Sequence, residues 1–394
     1  MKSRVNVLGV GVTDFHRPGE GPGYLQLIAD ATRSALADAG LGYDRIGAAY
    51  VGYVFGESAC GQHGLYGLGL TGIPIINVSN NGASGSTALY LAAQAIENGQ
   101  ADCVLAVGFE HMTRDDLSDR WRRQESPLER HLQVLGARQG TTDDLPFALQ
   151  LYGGAAREYL WRYGARKETL AMLAVKAREH GSRNPQALFR QRLSLAEVLA
   201  APMLFAPLTR PQCCAPACGG AAVVLCSESF ARRHASARAV RLLAQALVTD
   251  LPSTFAGDSL IKAVGYDLAV SAARQVYEQA CIGPADLDTC EIDDCFSAHE
   301  ILLYEALGFC AEGDAERWVE DGDNTYGGNL VVNPSGGLLC RGHPFGATGL
   351  AQCAELVRQL REEGQQRQVE GARVALQHNL GLGSACYTAI YQRR

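Results

Sequence analysis

The sequence predicts a layered α/β protein made of two similar halves, and three observations carry that prediction. Short apolar runs alternate with stretches of helical length, glycines stand at the junctions, and one turn–helix–strand pattern occurs near both ends of the chain. Taken in order, VNVLGVGVT (5–13) reads as an apolar strand and GYLQLIADATRSALADAG (23–40) as an amphipathic helix closed by Gly40. AAYVGYVFG (48–56) is a second strand. STALYLAAQAIEN (86–98) is an Ala-rich helix stopped by Gly99, and DCVLAVGF (102–109) is a buried strand. Continuous apolar strands alternating with helices predict parallel sheets covered on both faces.

The character changes between about 111 and 205. TRDDLSDRWRRQESPLERHLQ (113–133) is densely charged, and REYLWRYGARKETLAMLAVKAREHGSRNP (157–185) reads as amphipathic helix. This is a helical excursion inserted into the first α/β unit. GGAAVVLCSES (219–229) returns to strand, and RAVRLLAQALVTD (238–250) opens the second unit. There, NPSGGLLCRGHPFGATGLAQCAELVRQLREEG (333–364) followed by ARVALQHNLG (372–381) repeats the earlier turn, helix and strand. The halves are placed at 1–235, including the insertion, and 236–394.

The chain has 394 residues, 47% of them hydrophobic and 20% charged, enough to bury a large core. A net charge of −7 argues against a nucleic-acid or anionic-membrane footprint, and no apolar run reaches the length of a membrane span. No signal peptide is expected. Thirteen scattered cysteines, an odd number, fit reduced thiols in a cytoplasmic protein. Cys213, Cys214 and Cys218 cluster in QCCAPAC, but no second Cys/His pair at zinc spacing follows, so no metal is expected.

DDCFSAHEILLYEALGFC, GDNTYGGNLVVNPSGGLLCRGHPFGATGLAQCAELVRQLR and VALQHNLGLGSA, all near the end of the chain, carry a resemblance. With them the sequence resembles the thiolase superfamily, specifically the sterol-carrier-protein-type (SCP-x, lipid-transfer protein) thiolases. The resemblance spans essentially the whole chain. It implies an α/β thiolase fold, five-layered αβαβα from two similar halves with a helical loop domain, and a homodimer. It also implies an acyl-CoA substrate, with coenzyme A entering as part of that substrate and no separate cofactor.

Thiolase chemistry needs a nucleophilic thiolate, an acid/base and donors for thioester oxyanions. In the resembled family the nucleophile stands in N-N-C-x-x-G-S; here that turn reads Asn80-Asn81-Gly82-Ala83-Ser84-Gly85-Ser86. Gly82 occupies the position of the lost cysteine and offers only its backbone N–H at a helix start. Ser84 and Ser86 are expected to face elsewhere. His343 matches the family's GHP motif and is expected to bond a thioester oxygen and shuttle protons. DDCF stands where the family has H-D-C-F: Cys295, the acid/base, is kept, while Asp293 replaces a histidine of an oxyanion hole. Read without the family, Asp293 is a solvated strand-end carboxylate and Cys295 a small core residue. An ionised Asp293 would repel an oxyanion. Gly381 matches a glycine whose N–H completes the other oxyanion site. His299, Asn379 and Ser335 are assigned to the substrate side, His299 behind Cys295 and Asn379 in place of a second thiolase cysteine. QCCAPACGGAA departs from the family's Q-C-C-P-T-S-D-G-A, with Ala217 and Cys218 replacing polar residues.

Three functions follow. Retro-aldol cleavage of a β-hydroxyacyl-CoA needs no acyl-enzyme, and Gly82, Gly381, His343, Asp293 and Cys295 supply the base, acid and donors it does need. The chain is similar in this respect to relatives that lack the thiolase cysteine and act as aldolases on steroid side-chain CoA esters with a small OB-fold (DUF35-type) partner. Those relatives carry tyrosines at the two landmarks, so the likeness is one of reaction class. A catalytically silent acyl-CoA-binding or scaffold homologue is the first alternative, and a thiolase or acyltransferase of atypical mechanism the second. The aromatics Phe147, Tyr152 and Trp161 in the insertion read as helix core.

Overall fold

The structure, a computed structural model, describes residues 4–113, 126–142, 144–234, 238–383 and 385–394. Ten strands form one continuous sheet: β1 (Val5–Val12), β2 (Ala48–Gly52), β3 (Ile75–Val78), β4 (Cys103–Glu110), β5 (Gly219–Ser227), β6 (Val240–Val248), β7 (Thr289–Glu291), β8 (Val331–Val332), β9 (Val374–Gly381) and β10 (Ala385–Gln392). Their spatial order is β8-β7-β9-β10-β6-β1-β5-β4-β2-β3. The expected parallel sheets are corrected to a mixed one. β2, β3 and β4 run parallel, as do β7, β8 and β9, but β1, β5, β6 and β10 pair antiparallel. The short link between β9 and β10 forces the second case, because only a long crossover returns a strand parallel.

Three of the apolar clusters lie between sheet and helices. In the middle, α2 (Ser84–Glu97) and the long helix Phe345–Leu360 pack on each other between strands of both halves. Leu89, Ile96, Leu350 and Val357 meet Val104, Val223, Ala375 and Tyr387 there. On one outer face α1 (Tyr24–Ala39) lays Ile28 and Ala35 against Leu105 and Val224. On the other, the helix Tyr266–Ala280 sets Leu268 and Val276 against Ala244 and Ile390. Within the one continuous sheet, the strands of each half thus carry helices on the outside and share the central helix pair, the helix, strand, helix, strand, helix order that the resemblance implied. Each buried Leu or Ile contributes about 1.5–3 kcal/mol.

The stretch 157–185 does not form one helix. It breaks at Gly164, which takes φ 68 and closes α3 (Phe147–Tyr163) before α4 (Lys167–Ser182) begins. Most of the charged stretch, residues 114–125, lies outside the described residues. The insertion is fastened to α6 (Ser297–Ala306), with the Tyr266–Ala280 helix counted as α5 and Phe345–Leu360 as α7. Tyr159 donates to Glu305 at 2.6 Å. Lys176 forms a buried ion pair with Glu300 and reaches Tyr304 at 3.1 Å. Among the described residues no helix is long and apolar enough to cross a membrane.

Candidate active site

The turn that starts α2 is stapled to the end of β9. Asn81 donates its amide to the Leu382 carbonyl at 2.8 Å, and Asn80 and Asn81 carbonyls accept the Ala83 and Ser84 N–H groups. Ser84 accepts from the Asn80 N–H and donates to the Asn81 carbonyl, while Ser86 donates to Asn379 Oδ1 at 2.7 Å. Both serines are therefore committed within the fold. Gly82 is buried between them and the second half. A Cβ built on Gly82 would stand 2.9 Å from the Leu380 carbonyl oxygen and 3.3 Å from His343 Nε2. Gly381 is pressed more closely still, its Cβ position falling 2.1 Å from the Asn80 carbonyl.

His343 enters from the turn before α7. Gly342 precedes it at φ 97, with no room for a Cβ against Leu188. The His343 backbone is clamped on both sides, donating to the Ala215 carbonyl at 2.9 Å and accepting from the Ala217 N–H. Thr348 donates its hydroxyl hydrogen to the Pro344 carbonyl, so its oxygen accepts from His343 Nδ1 at 2.8 Å. That arrangement places the ring proton on Nδ1 and leaves the Nε2 lone pair facing Gly82. Burial pushes the imidazole down to about 4, with Asp293 opposing and Arg341 adding to the shift. At neutral pH it is an uncharged acceptor.

The DDCF segment brings Asp293, Cys295 and His299 together. Asp293 is 1% exposed, which corrects its reading as a solvated carboxylate. Its Oδ2 accepts from Asn379 Nδ2 at 3.0 Å and the Leu380 N–H at 3.1 Å. Its Oδ1 faces the Cys295 N–H and His299 Nδ1, each at 3.4 Å. Burial alone would raise this carboxyl; the His299 hydrogen bond and the neighbouring histidines outweigh it and hold the group well below the usual range. Asp293 is thus an anion, and cannot serve as an oxyanion donor. Cys295 Sγ lies 3.7 Å from His299 Nδ1. Burial, then the Asp293 charge, push the thiol well above its ordinary value, so it stands as S–H. The donor atoms of Asp293, Cys295 and His299 lie within 4.8 Å of one another, close enough to share a cation.

The structure therefore groups Gly82, Gly381, His343, Asp293, Cys295, His299 and Asn379. It does not bring Ser335 to them: that hydroxyl donates to Glu291 at 2.8 Å, and its backbone N–H does the same. Sequence reasoning missed three neighbours. Thr348 fixes the His343 tautomer. His378 is fully buried beside His299, with its ring pushed down to about 3 by burial and its Nδ1 without a partner among the described residues. Tyr152 stacks on Phe296 with ring centres 4.7 Å apart and leans on the His299 ring at 5.1 Å. Tyr152 shares a helical stripe with Leu149, Ala156 and Tyr159, all buried, so its spacing carries no mark of a site. A crevice bounded by His131, Leu268, Leu380 and Gly381 adjoins the group and is too narrow to admit a water molecule. A larger one, about 470 Å³, lies elsewhere, beside Tyr66, Leu70 and Ile75 near the sheet-edge strand β3.

Comparison with known proteins identifies the family. Residues 20–194 match the thiolase N-terminal domain, and residues 260–393 the thiolase C-terminal domain-like family. The chain is 49% identical to sterol carrier protein 2 of Rattus norvegicus over 393 residues, covering 99% of this chain and 72% of that protein. It is 40% identical to the non-specific lipid-transfer protein-like 2 of Caenorhabditis elegans, covering 99% and 96%. The solved Ltp2-ChsH2(DUF35) aldolase superposes with a TM-score of 0.84 at 24% identity, over 100% of this chain and 99% of that one, a likeness of fold. The chain belongs to the thiolase superfamily, in its sterol-carrier-protein (SCP-x) type.

Proposed function

We propose that this protein is a carbon–carbon lyase of thiolase fold that cleaves β-hydroxyacyl-CoA esters by a retro-aldol reaction, without an acyl-enzyme. One observation carries the reading: the unprotonated Nε2 of His343 faces Gly82, where the Leu380 carbonyl leaves a Cβ no room. A base is present where a nucleophile is not. His343 Nε2 takes the proton of the β-hydroxyl. The C–O bond becomes a carbonyl, the α–β carbon bond breaks, and its electron pair forms the thioester enolate. The Gly82 and Gly381 N–H groups face the enolate oxygen. The Cys295 thiol gives its proton to the α-carbon, and the proton held by His343 is returned through solvent, so no net proton is consumed.

Asp293 is kept away from the oxygen by its own hydrogen bonds and orients Asn379 and His299 around Cys295. Its oxygens face four hydrogen-bonding partners, and on that ground we assign the cluster to proton handling and no metal to it. The name of the aldolase of similar fold supports the reaction class, and its title pairs it with a DUF35 protein. We extend the proposal accordingly to a DUF35-type OB-fold partner, a homodimer, a cytoplasmic location and steroid side-chain CoA esters as the first substrates to try. The competing reading, a silent acyl-CoA-binding homologue, draws on the same closure at Gly82.

The test is incubation of the protein, alone and with a DUF35-type partner, with a β-hydroxyacyl-CoA and separately with a 3-oxoacyl-CoA plus free CoA. Release of a carbonyl product from the first substrate supports the lyase. CoA-dependent cleavage of the second alone identifies an acyltransferase instead, and turnover of neither identifies the silent binder.

A further inference from the structure

The proposed reaction turns Cys295 from a thiol into a thiolate inside the core, beside a carboxylate that is already charged. The start of α6 decides what faces the new charge. The Cys295 carbonyl is held by the Cys214 N–H at 2.8 Å, and the His299 N–H closes the first turn of the helix on the Phe296 carbonyl at 2.9 Å. Fixed in this way, His299 Nδ1 lies 3.7 Å from Cys295 Sγ, within hydrogen-bond reach of a sulfur, and 3.4 Å from Asp293 Oδ1. One ring nitrogen therefore stands between a carboxylate and a thiol. Asp293 is an anion and accepts only, so Nδ1 carries a hydrogen whether the ring is charged or neutral. Tyr152 and His378 flank the imidazole, with ring centres 5.1 and 6.1 Å away, and the residue is 1% exposed. DDCF lacks the imidazole that the resembled family has at 293; the fold sets another against Asp293, from the first turn of α6.

We propose that His299 is a positioning residue for the lyase reaction: its Nδ1–H rests on Asp293 while Cys295 is a thiol, and turns to the sulfur to hold the thiolate left when the thiol proton passes to the α-carbon. The inference rests on the lyase reading. In the step, the S–H bond breaks, a C–H bond forms at the enolate carbon, and the electron pair stays on sulfur, where the Nδ1–H meets it. No proton leaves His299. A neutral thiol draws little from an N–H that a carboxylate already holds, whereas a thiolate competes for it as an anion. The carboxylate tolerates the turn because three donors stay with it. Asn379 Nδ2 at 3.0 Å and the Leu380 N–H at 3.1 Å remain on Oδ2, and the Cys295 N–H at 3.4 Å remains on Oδ1. Asp293 thus keeps a hydrogen on Nδ1, aimed beside the sulfur.

The test uses His299→Leu and His299→Asn. The two replacements have the same branched outline, but asparagine carries an amide N–H as many bonds from the backbone as Nδ1, and leucine carries none. The first readout needs no turnover. Cys295 alkylation by iodoacetamide at fixed pH is followed by peptide fragmentation, which separates this thiol from the other twelve among the thirteen cysteines of the chain. Loss of the donor slows Cys295 alkylation on the order of tenfold in His299→Leu, and His299→Asn stays within about threefold of wild type. A merely structural role predicts the opposite, since a loosened core admits the reagent more readily and speeds the reaction. The second readout is β-hydroxyacyl-CoA cleavage: kcat falls on the order of tenfold or more in His299→Leu with KM unchanged, and His299→Asn recovers it. Alkylation in His299→Leu as fast as in wild type, an unchanged kcat, or His299→Asn as slow as His299→Leu overturns the proposal. Should His299→Leu fail to fold, His299→Asn against wild type decides by the same threshold. A wild-type chain that releases no carbonyl product overturns the parent reading instead, while the alkylation comparison still decides whether His299 supports the Cys295 thiolate.

Discussion

Replacing Gly82 with cysteine asks whether this site is a thiolase missing only its nucleophile. The added Cβ would stand 2.9 Å from the Leu380 carbonyl oxygen, closer than real Cβ contacts come. Leu380 has little freedom to retreat. Its N–H is held by Asp293 at 3.1 Å, and its strand is paired with β10 through Leu380 and Cys386. The turn is tied from the other side by Asn81 to Leu382. Relief must come from the β9 end or the α2 start, and insertions of this kind into a packed core cost about 1–3 kcal/mol. Gly82→Ala separates that steric cost from the chemistry of the thiol. The assays are urea denaturation for both variants, and CoA-dependent cleavage of a 3-oxoacyl-CoA for Gly82→Cys. We expect both variants to lose about 1–3 kcal/mol. We expect no thiolase turnover from Gly82→Cys, because the ionised Asp293 stands where an oxyanion donor is needed. Unchanged stability together with a burst of acyl-enzyme would refute the reasoning and return the site to thiolase chemistry.

His343→Ala should abolish β-hydroxyacyl-CoA cleavage with the circular-dichroism spectrum intact, and retained turnover removes His343 from the mechanism. Thr348→Val deletes the oxygen that accepts from Nδ1, frees the tautomer, and should lower kcat/KM about 10- to 100-fold; full activity would show that the tautomer is set elsewhere. His343, His180 and His378 sit in the fold at about 4, 3 and 3. The unfolded chain takes up protons on these groups below about pH 6.5 while the folded chain does not, so stability falls as pH drops from there towards 4. His343 alone accounts for about 3 kcal/mol at the acid end. Asp293 acts in the same direction, since a carboxyl held low contributes stability above its unfolded value that is lost as pH falls through its folded one. A urea midpoint that stays flat between pH 6.5 and 4.5 contradicts this. Lys176→Met strands the Glu300 carboxylate beside α6 and should cost about 3–5 kcal/mol, measured by the same denaturation.

Much of the molecule was legible in the chain itself. The apolar strands at 5–12 and 103–110, the small-residue helix at 84–97 and its counterpart at 345–360 follow from local periodicity and glycine punctuation. So does the absence of a side chain at residue 82, the most consequential fact about the chemistry, which no folding can alter. What required tertiary structure was everything that depends on which groups share a space. Strand direction was decided by the short β9–β10 link and by pairing across the halves, neither visible in apolar runs. Asp293 reads in sequence as a solvated strand end; it is buried because β9 lays Asn379 and Leu380 against it from 86 and 87 residues away. The protonated nitrogen of His343 was settled by a threonine hydroxyl that is itself spent on Pro344. Tyr152 was invisible for the opposite reason: helical spacing fixes which face is buried, but only the packing of the insertion against α6 decides that this ring lies on Phe296 and His299. Local sequence dictates conformation and inventory, while charge state and contact belong to the assembled core, where the partners come from both halves of the chain.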